Sequence, residues 1–161
     1  FAPEARMKGI RMQTSKWRRP SSDTAPVHSK AAGLYMTGTL AKHAAEAAGY
    51  ADALMLDYRG LVSEGTGANI FVVIDGKIHT PIPDCFLDGI TRQTVIALAR
   101  ARKIDVIERH IEPCELGNAQ EVLLTGTAAE VTPVSEIDEH TFVPGLITQQ
   151  LIDDYDAEVR R

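Results

Sequence analysis

One lysine stands among small residues in the segment Ser-Lys-Ala-Ala-Gly-Leu-Tyr, residues 29–35. A lysine forms a Schiff base only through its neutral amine, and small neighbours let a flat ring approach that amine closely. A lone lysine near the start of a helix is more often an ordinary surface residue. The segment by itself therefore makes Lys30 a candidate nucleophile and no more.

A carboxylate followed by spaced glycines forms a second candidate segment, Ser-Glu-Gly-Thr-Gly-Ala-Asn-Ile-Phe, residues 63–71. At the end of a strand, the Glu64 carboxylate is suited to keeping a pyridine nitrogen protonated, which makes the ring an electron sink. The segment is not a dinucleotide-binding fingerprint, because no third glycine follows and the next element is a predicted strand. Alone, it also fits a simple glycine-rich turn.

Two further segments offer backbone amides to an anion. Gly89 enters a predicted helix, where the free N–H groups of the first turn and the Thr91 hydroxyl suit a phosphate. A predicted strand also opens into Gly126-Thr127-Ala128, whose amides and hydroxyl suit an anion as well. Each has an alternative interpretation as an ordinary helix entry or turn.

Short strands alternate with helices along the chain, which favours a mixed α/β domain. Residues 17–26 are predicted to form a loop, and Asp75-Gly76 marks a two-residue hairpin. Ser29 is a candidate cap for the first helix. Strands are predicted at residues 9–14, 52–57, 61–64, 69–74, 77–81, 105–111, 121–127 and 132–138, helices at 31–48, 90–103 and 145–160, and one helical turn at 113–117.

The composition limits the classes of partner. The chain has 161 residues and a formal net charge of -5, which disfavours a nucleic-acid or membrane partner. Cys85 and Cys114 lie far from any other cysteine and from metal-ligand spacing, so we expect two reduced, buried cysteines and no metal site.

The order of these segments resembles the fold-type-IV aminotransferases that use pyridoxal 5′-phosphate, over about residues 9–151. The resemblance implies an α+β pseudo-barrel, the large domain of the D-amino-acid aminotransferase-like fold. Residues 9–161 are then the large domain and residues 1–8 the remnant of an interdomain linker. The small amino-terminal domain of the family is missing from the sequence.

The same resemblance implies a role for each matching residue. Lys30 resembles the Schiff-base lysine and proton carrier, Tyr35 the partner of the ring hydroxyl, and Glu64 the partner of the ring nitrogen. Asn69 is a supporting cofactor residue. Phosphate binding is implied for Ile90, Thr91 and Thr127, and substrate binding for Thr127 and Ala128.

Details of these segments are most similar to the branched-chain subgroup. We expect transamination of Leu, Ile or Val with 2-oxoglutarate in a cytoplasmic homodimer or larger assembly. The alternatives are a D-amino-acid or (R)-amine aminotransferase, an aminodeoxychorismate lyase, or a catalytically incomplete fragment of one of these enzymes. An unrelated fold with coincidental motifs is the remaining possibility.

Overall fold

A computed structural model describes residues 6–160, so most of the predicted linker over residues 1–8 lies outside the described residues. The strands are β1 (Ile10–Arg19), β2 (Asp52–Asp57), β3 (Val62–Glu64), β4 (Asn69–Ile74), β5 (Lys77–Thr80), β6 (Val106–Glu108), β7 (Glu121–Gly126), β8 (Glu130–Ile137) and β9 (His140–Thr141). The helices are α1 (Met36–Ala47), α2 (Ile90–Ala101) and α3 (Leu146–Val159), with 3-10 turns at Ala32–Leu34 and Pro113–Asn118.

Six strands close into a barrel in the order β3-β2-β1-β8-β7-β4, because β3 also pairs with β4. The strands β5 and β6 extend the sheet beyond β4, and β9 pairs with β8. This arrangement confirms the predicted mixed α/β pseudo-barrel.

Alternate residues of the strands face opposite sides of the barrel wall. One core cluster takes apolar side chains from all six barrel strands: Met12, Leu54, Val62, Ile70, Val122 and Val134 belong to it. The alternate residues of β4, Phe71 and Val73, pack instead with residues of α2 and α3. Every residue of β2 is buried, since its other face packs against α1.

Three predicted boundaries differ from the structure by three residues or more. Strand β1 continues to Arg19 instead of ending near residue 14, because Arg18 and Arg19 pair with Leu56 and Asp57 of β2. The exposed side chains of residues 16–18 gave this stretch the composition of a loop. The predicted strand at residues 105–111 is reduced to Val106–Glu108, since only these residues pair with β5.

The first helix begins at Met36, not near residue 31. Ala31 has an extended backbone, and a 3-10 turn follows it. The Leu34 carbonyl accepts a hydrogen bond from Arg19 Nη1 at 3.2 Å. Lys30 therefore lies in a loop, and no side chain caps this turn or helix, so the predicted Ser29 cap is wrong.

Both cysteines are free thiols, but only one of them is buried. Cys85 is buried and Cys114 is exposed, so the prediction of two buried cysteines is wrong for Cys114. Cys114 lies within the 3-10 turn that follows β6. Among residues 6–160, no helix combines the length and apolar character needed to cross a membrane.

The Asp75-Gly76 hairpin is confirmed, with Ile74 paired to Lys77 across the turn. Both turn residues have positive φ, 50° for Asp75 and 70° for Gly76, as a type I′ turn requires.

Replacement of Gly76 tests this turn. A Cβ at Gly76 meets no atom within 4 Å, so the cost of Gly76→Ala is backbone strain alone. We expect a loss of about 1 kcal/mol in the free energy of unfolding, measured by urea titration. The control Gly33→Ala, also in open space but without positive φ, should change stability by less than about 0.5 kcal/mol. Equal losses in the two variants would contradict the assigned turn.

Candidate functional site

One cavity of about 310 Å³ gathers the segments that the sequence singled out. Its walls come from the end of β1, the loop carrying Lys30, the glycine turn after β3, the start of α2 and the turn after β7. Seven of the eight predicted site residues line it: Lys30, Tyr35, Glu64, Asn69, Ile90, Thr91 and Thr127. Ala128 is exposed next to Thr127 but is not part of the lining.

A bulge in β3 sets the direction of Glu64. Met55 pairs with Glu64 and Leu56 with Val62, so β3 has one more residue than β2 between these pairs. Val62 packs in the barrel core, whereas Glu64 lines the cavity. The extra residue thus turns Glu64 to the opposite face of the wall from Val62, as bulges commonly do near binding sites.

A cross-strand row continues from Glu64 over the same face. Glu64 pairs with Asn69, and Asn69 pairs with Thr125. Directly opposite residues in antiparallel strands share a face, so the three polar side chains stand side by side. All three line the cavity. The Thr125 hydroxyl is buried and has no hydrogen-bond partner within residues 6–160.

Arg19 is the charged neighbour of Glu64. Its Nε lies 2.8 Å from Glu64 Oε1, and both side chains are about nine-tenths buried. The Nε–H is not aligned for a hydrogen bond, so the contact is a charge pair. Sequence reasoning missed Arg19, because it placed the two adjacent arginines before Pro20 in a loop.

The charge of Glu64 is finely balanced. Burial raises the pKa of its carboxyl, Arg19 lowers it and Asp52 raises it, and together they bring it from 4.5 to about 7. A buried carboxyl that changes charge near neutral pH and faces a cavity is typical of a functional site.

Asn69 fixes the entry to α2 across the cavity. Its Nδ2 donates to the Leu87 carbonyl at 2.9 Å, and its Oδ1 accepts from the Gly89 amide at 3.3 Å. A Cβ at Gly89 would lie 2.6 Å from Asn69 Oδ1, so only glycine fits this contact. The first intrahelical bond is Gln93 N–H to Gly89, which leaves the amides of Ile90 and Thr91 at the open end of the helix.

A buried arginine holds this helix end from behind. Arg92 is only 1% exposed and donates to the Asp88 and Glu108 carboxylates and to the Pro81 carbonyl. It therefore ties the loop before α2 to strand β6. Its place in the apolar periodicity of α2 gave no signal of this role.

Lys30, Tyr35 and Thr127 form the exposed rim of the cavity. Tyr35 is 41% exposed and Lys30 is exposed as well, so the described residues do not bury the amine. The structure brings Lys30 and Glu64 to the same cavity, although 34 positions separate them in the sequence.

A separate acidic group beside the cavity is neutralised by an arginine. Ligand atoms of Asp57, Asp84 and Cys85 lie within 4.8 Å of one another. Arg59 Nη2 donates to Asp57 at 2.7 Å and to Asp84 at 2.9 Å, so a cation already compensates these carboxylates. Burial raises the pKa of the Cys85 thiol to about 11, which keeps it protonated.

A family model described as amino-transferase class IV matches residues 1–137. The chain belongs to the class IV aminotransferases. Membership of this family explains the order of the segments around the cavity. The alternative of an unrelated fold with coincidental motifs is therefore wrong.

Named relatives point to one subgroup. A probable branched-chain-amino-acid aminotransferase of Aquifex aeolicus is 46% identical over 95% of this chain and 51% of its own length. The branched-chain-amino-acid aminotransferase of Pseudomonas aeruginosa is 41% identical over 84% of this chain and 44% of its own length. The chain thus spans about half the length of the curated relatives it matches.

Solved structures have the same fold. The branched-chain aminotransferase of Thermoproteus uzoniensis with norvaline has a TM-score of 0.91 and 42% identity, over 94% of this chain and 51% of that chain. The branched-chain amino acid aminotransferase of Thermobaculum terrenum in its PLP form has a TM-score of 0.90 and 40% identity, over 94% of this chain and 51% of that chain.

The raised pKa of Glu64 predicts a pH-dependent stability difference. The folded state favours the neutral carboxyl, so ionisation destabilises the unliganded protein as the pH rises from about 4.5 through about 7. Relative to the parent, we expect Glu64→Gln to gain about 2 kcal/mol in unfolding free energy between pH 5 and pH 8, measured by urea titration. The control Glu46→Gln, at an exposed side chain beside Lys42, should differ from the parent by the same amount at pH 5 and pH 8. Parallel curves for the parent and Glu64→Gln would contradict the shifted pKa.

Proposed function

We propose that the protein carrying this chain transfers the amino group of Leu, Ile or Val to 2-oxoglutarate with pyridoxal 5′-phosphate as cofactor. One observation carries the proposal: Lys30, Glu64 and the open end of α2 line a single cavity. The branched-chain assignment is supported by the names of relatives that are 40–46% identical.

The described residues fit the cofactor at both of its ends. A buried carboxylate on the cavity wall suits the protonated ring nitrogen, and the amides of Ile90 and Thr91 with the Thr127 hydroxyl suit the phosphate. The Gly89 contact with Asn69 leaves no room for a side chain at the helix entry. Bound pyridoxal phosphate supplies an electron sink for breaking a bond at the substrate Cα.

Glu64 has an electrostatic role in this proposal. Its anion stabilises a proton on a ring nitrogen that it faces, and burial strengthens the interaction because water does not screen it. Asn69 and Thr125, in the same cross-strand row, line the cavity beside Glu64.

Lys30 has the role of the cofactor's covalent anchor and of a general base. Its neutral Nζ, when free of the cofactor, would take a proton from the substrate Cα and later return a proton. Tyr35, on the same rim, is suited to donate its hydroxyl proton to an oxygen on the ring. Thr127 and the Ala128 amide are suited to the substrate carboxylate.

The proposal also includes a second domain, because the relatives are about twice as long as this chain. Lys30, Tyr35 and Thr127 form an exposed rim within the described residues. We propose that residues 9–161 act as the large cofactor-binding domain and that a further domain of the full-length protein covers this rim. The chain alone is then a catalytically incomplete unit.

Location and assembly are part of the same proposal. A cytoplasmic homodimer or larger assembly is supported by the resemblance to the family. The exposed apolar side chains of Met36 and Leu40, on the first turns of α1 next to the rim, are compatible with it.

Covalent labelling tests the role of Lys30. We expect pyridoxal phosphate, after borohydride reduction of the full-length protein, to be attached to the peptide containing Lys30. Lys30→Ala should remove the label, whereas Lys42→Ala, on α1 outside the cavity lining, should keep it. A label that stays in Lys30→Ala, or that maps to another lysine, would contradict the role assigned to Lys30.

A methyl group at Gly89 tests the phosphate end of the cavity. Gly89→Ala displaces the Asn69 side chain and with it the entry to α2. We expect at least about a tenfold weaker affinity for pyridoxal phosphate, measured by the absorbance of the bound cofactor, since one lost hydrogen bond to an anion costs about 1.5–3 kcal/mol. Gly117→Ala, in the 3-10 turn outside the cavity lining, where a Cβ meets only His140 at 3.6 Å, is the control. Unchanged affinity in Gly89→Ala argues against phosphate binding at this helix.

The substrate class has its own test. Turnover of Leu, Ile and Val should exceed that of aromatic and D-amino acids at least about tenfold, because a pocket that fits one side-chain shape discriminates by about 1–3 kcal/mol. Faster turnover of D-amino acids would assign the protein to another subgroup of the family.

A further inference from the structure

Arg19 joins three segments of the site through one guanidinium group. Its Nε lies 2.8 Å from Glu64 Oε1. Its Nη1 donates to the Leu34 carbonyl at 3.2 Å, and its Nη2 donates to the Thr66 carbonyl at 3.4 Å. The end of β1, the segment after Lys30 and the glycine turn therefore meet at this side chain.

We propose that Arg19 is a positioning residue of the site: its guanidinium favours the charged form of Glu64 at the cavity and fixes the Lys30 segment against the glycine turn. This inference rests on the role proposed above for Glu64 and adds the residue that makes that role available at neutral pH.

The charges around Glu64 show why a cation is needed there. Arg19 faces it from β1 and Asp52 from β2, and Lys42 on α1 lies 3.9 Å from Asp52. Burial and Asp52 raise the pKa of Glu64, and Arg19 lowers it. Without Arg19, Glu64 would remain neutral over a wider pH range and would lose its attraction for a protonated ring nitrogen.

The second part of the role depends on the shape of the side chain. Arginine presents several donors in a rigid plane, so one residue can bind two carbonyls in fixed directions while its charge pairs with a carboxylate. Lysine supplies the same charge as a single flexible point. Replacement by lysine and by an uncharged residue therefore separates the effect of the Arg19 charge from that of its tether, the two hydrogen bonds to the Leu34 and Thr66 carbonyls.

Packing of α1 confirms how closely these groups are held. A Cβ at Gly38 would lie 2.8 Å from the Thr66 carbonyl oxygen and 3.7 Å from Arg19 Nη2. The helix thus approaches the Arg19–Thr66 contact directly. Neither the glycine turn nor the guanidinium has space to move away on that side.

Asp52 supports the same turn from the other side of Glu64. Its Oδ1 accepts hydrogen bonds from the Thr66 hydroxyl at 2.6 Å and from the Ala53 amide at 2.9 Å. Asp52→Asn keeps an acceptor for these bonds but removes a negative charge near Glu64. It is therefore the counterpart of an Arg19 substitution, with the opposite expected effect on Glu64.

The test is a carboxyl titration of Glu64 in the unliganded full-length protein. Glutamate labelled with ¹³C at the carboxyl carbon is followed by NMR between pH 5 and pH 9, and Glu64→Gln identifies the signal. We expect the Glu64 pKa to rise by at least about one unit in Arg19→Met and to fall in Asp52→Asn. Arg19→Lys should keep it within about half a unit of the parent, because the charge remains.

Arg18→Met is the matched control. Arg18 is the exposed neighbour of Arg19 and donates to the Asp57 carbonyl at 3.5 Å, away from Glu64. Its replacement should leave the Glu64 titration unchanged. If Arg19→Met only lowers the melting temperature and leaves the Glu64 pKa at the parent value, Arg19 is a structural residue and the inference is wrong. If Arg19→Met does not fold, the other two variants provide the test. A changed Glu64 pKa in Arg19→Lys, or an unchanged Glu64 pKa in Asp52→Asn, overturns the inference.

Cofactor binding gives a second readout of the tether. Arg19→Lys keeps the charge but not the two carbonyl contacts, so we expect a weaker affinity for pyridoxal phosphate with an unchanged Glu64 titration. Equal affinity in Arg19→Lys and the parent would overturn the tethering role. Since the titration is performed without cofactor, failure of the parent to bind pyridoxal phosphate would contradict the proposed function and leave the Arg19–Glu64 result standing.

Discussion

The pairing of Glu64 with Asn69 is the constraint on which the site depends. This pair closes the barrel between β3 and β4, and both of its side chains line the cavity. Glu64 reaches that face only because β3 has one residue more than its partner strand. Asn69 then binds both sides of the entry to α2. The same backbone pairing therefore closes the barrel and places both side chains at the cavity.

This acidic chain forms a candidate anion site although its arginines near the cavity are paired with carboxylates. The net charge is -5, yet Arg19 lines the cavity beside Glu64 and Arg92 is buried behind the start of α2. Each is matched to carboxylates, so neither presents a basic surface. Backbone amides at the start of α2 remain for the anion itself. Such an arrangement favours a small anionic ligand over a polyanion.

Local patterns predicted most of the elements, because the short apolar runs of β2 and β4, the Asp75-Gly76 turn and the periodicity of α2 depend on neighbouring residues. The ordered motifs also predicted the residues that meet in the cavity. The bulge in β3, the extension of β1 and the position of Arg19 depend on pairing with distant strands. The late start of α1 has the same cause, since Arg19 binds the Leu34 carbonyl. No pattern within a short window of sequence contains these contacts.

A crystal structure of the full-length protein with pyridoxal phosphate tests the central claim most directly. The account predicts a bond between the cofactor and Lys30, a Glu64 carboxylate oxygen about 2.7–3.0 Å from the ring nitrogen, and the phosphate on the Ile90 and Thr91 amides. A cofactor bound outside this cavity, or bound in it with its ring nitrogen turned away from Glu64, would contradict the account.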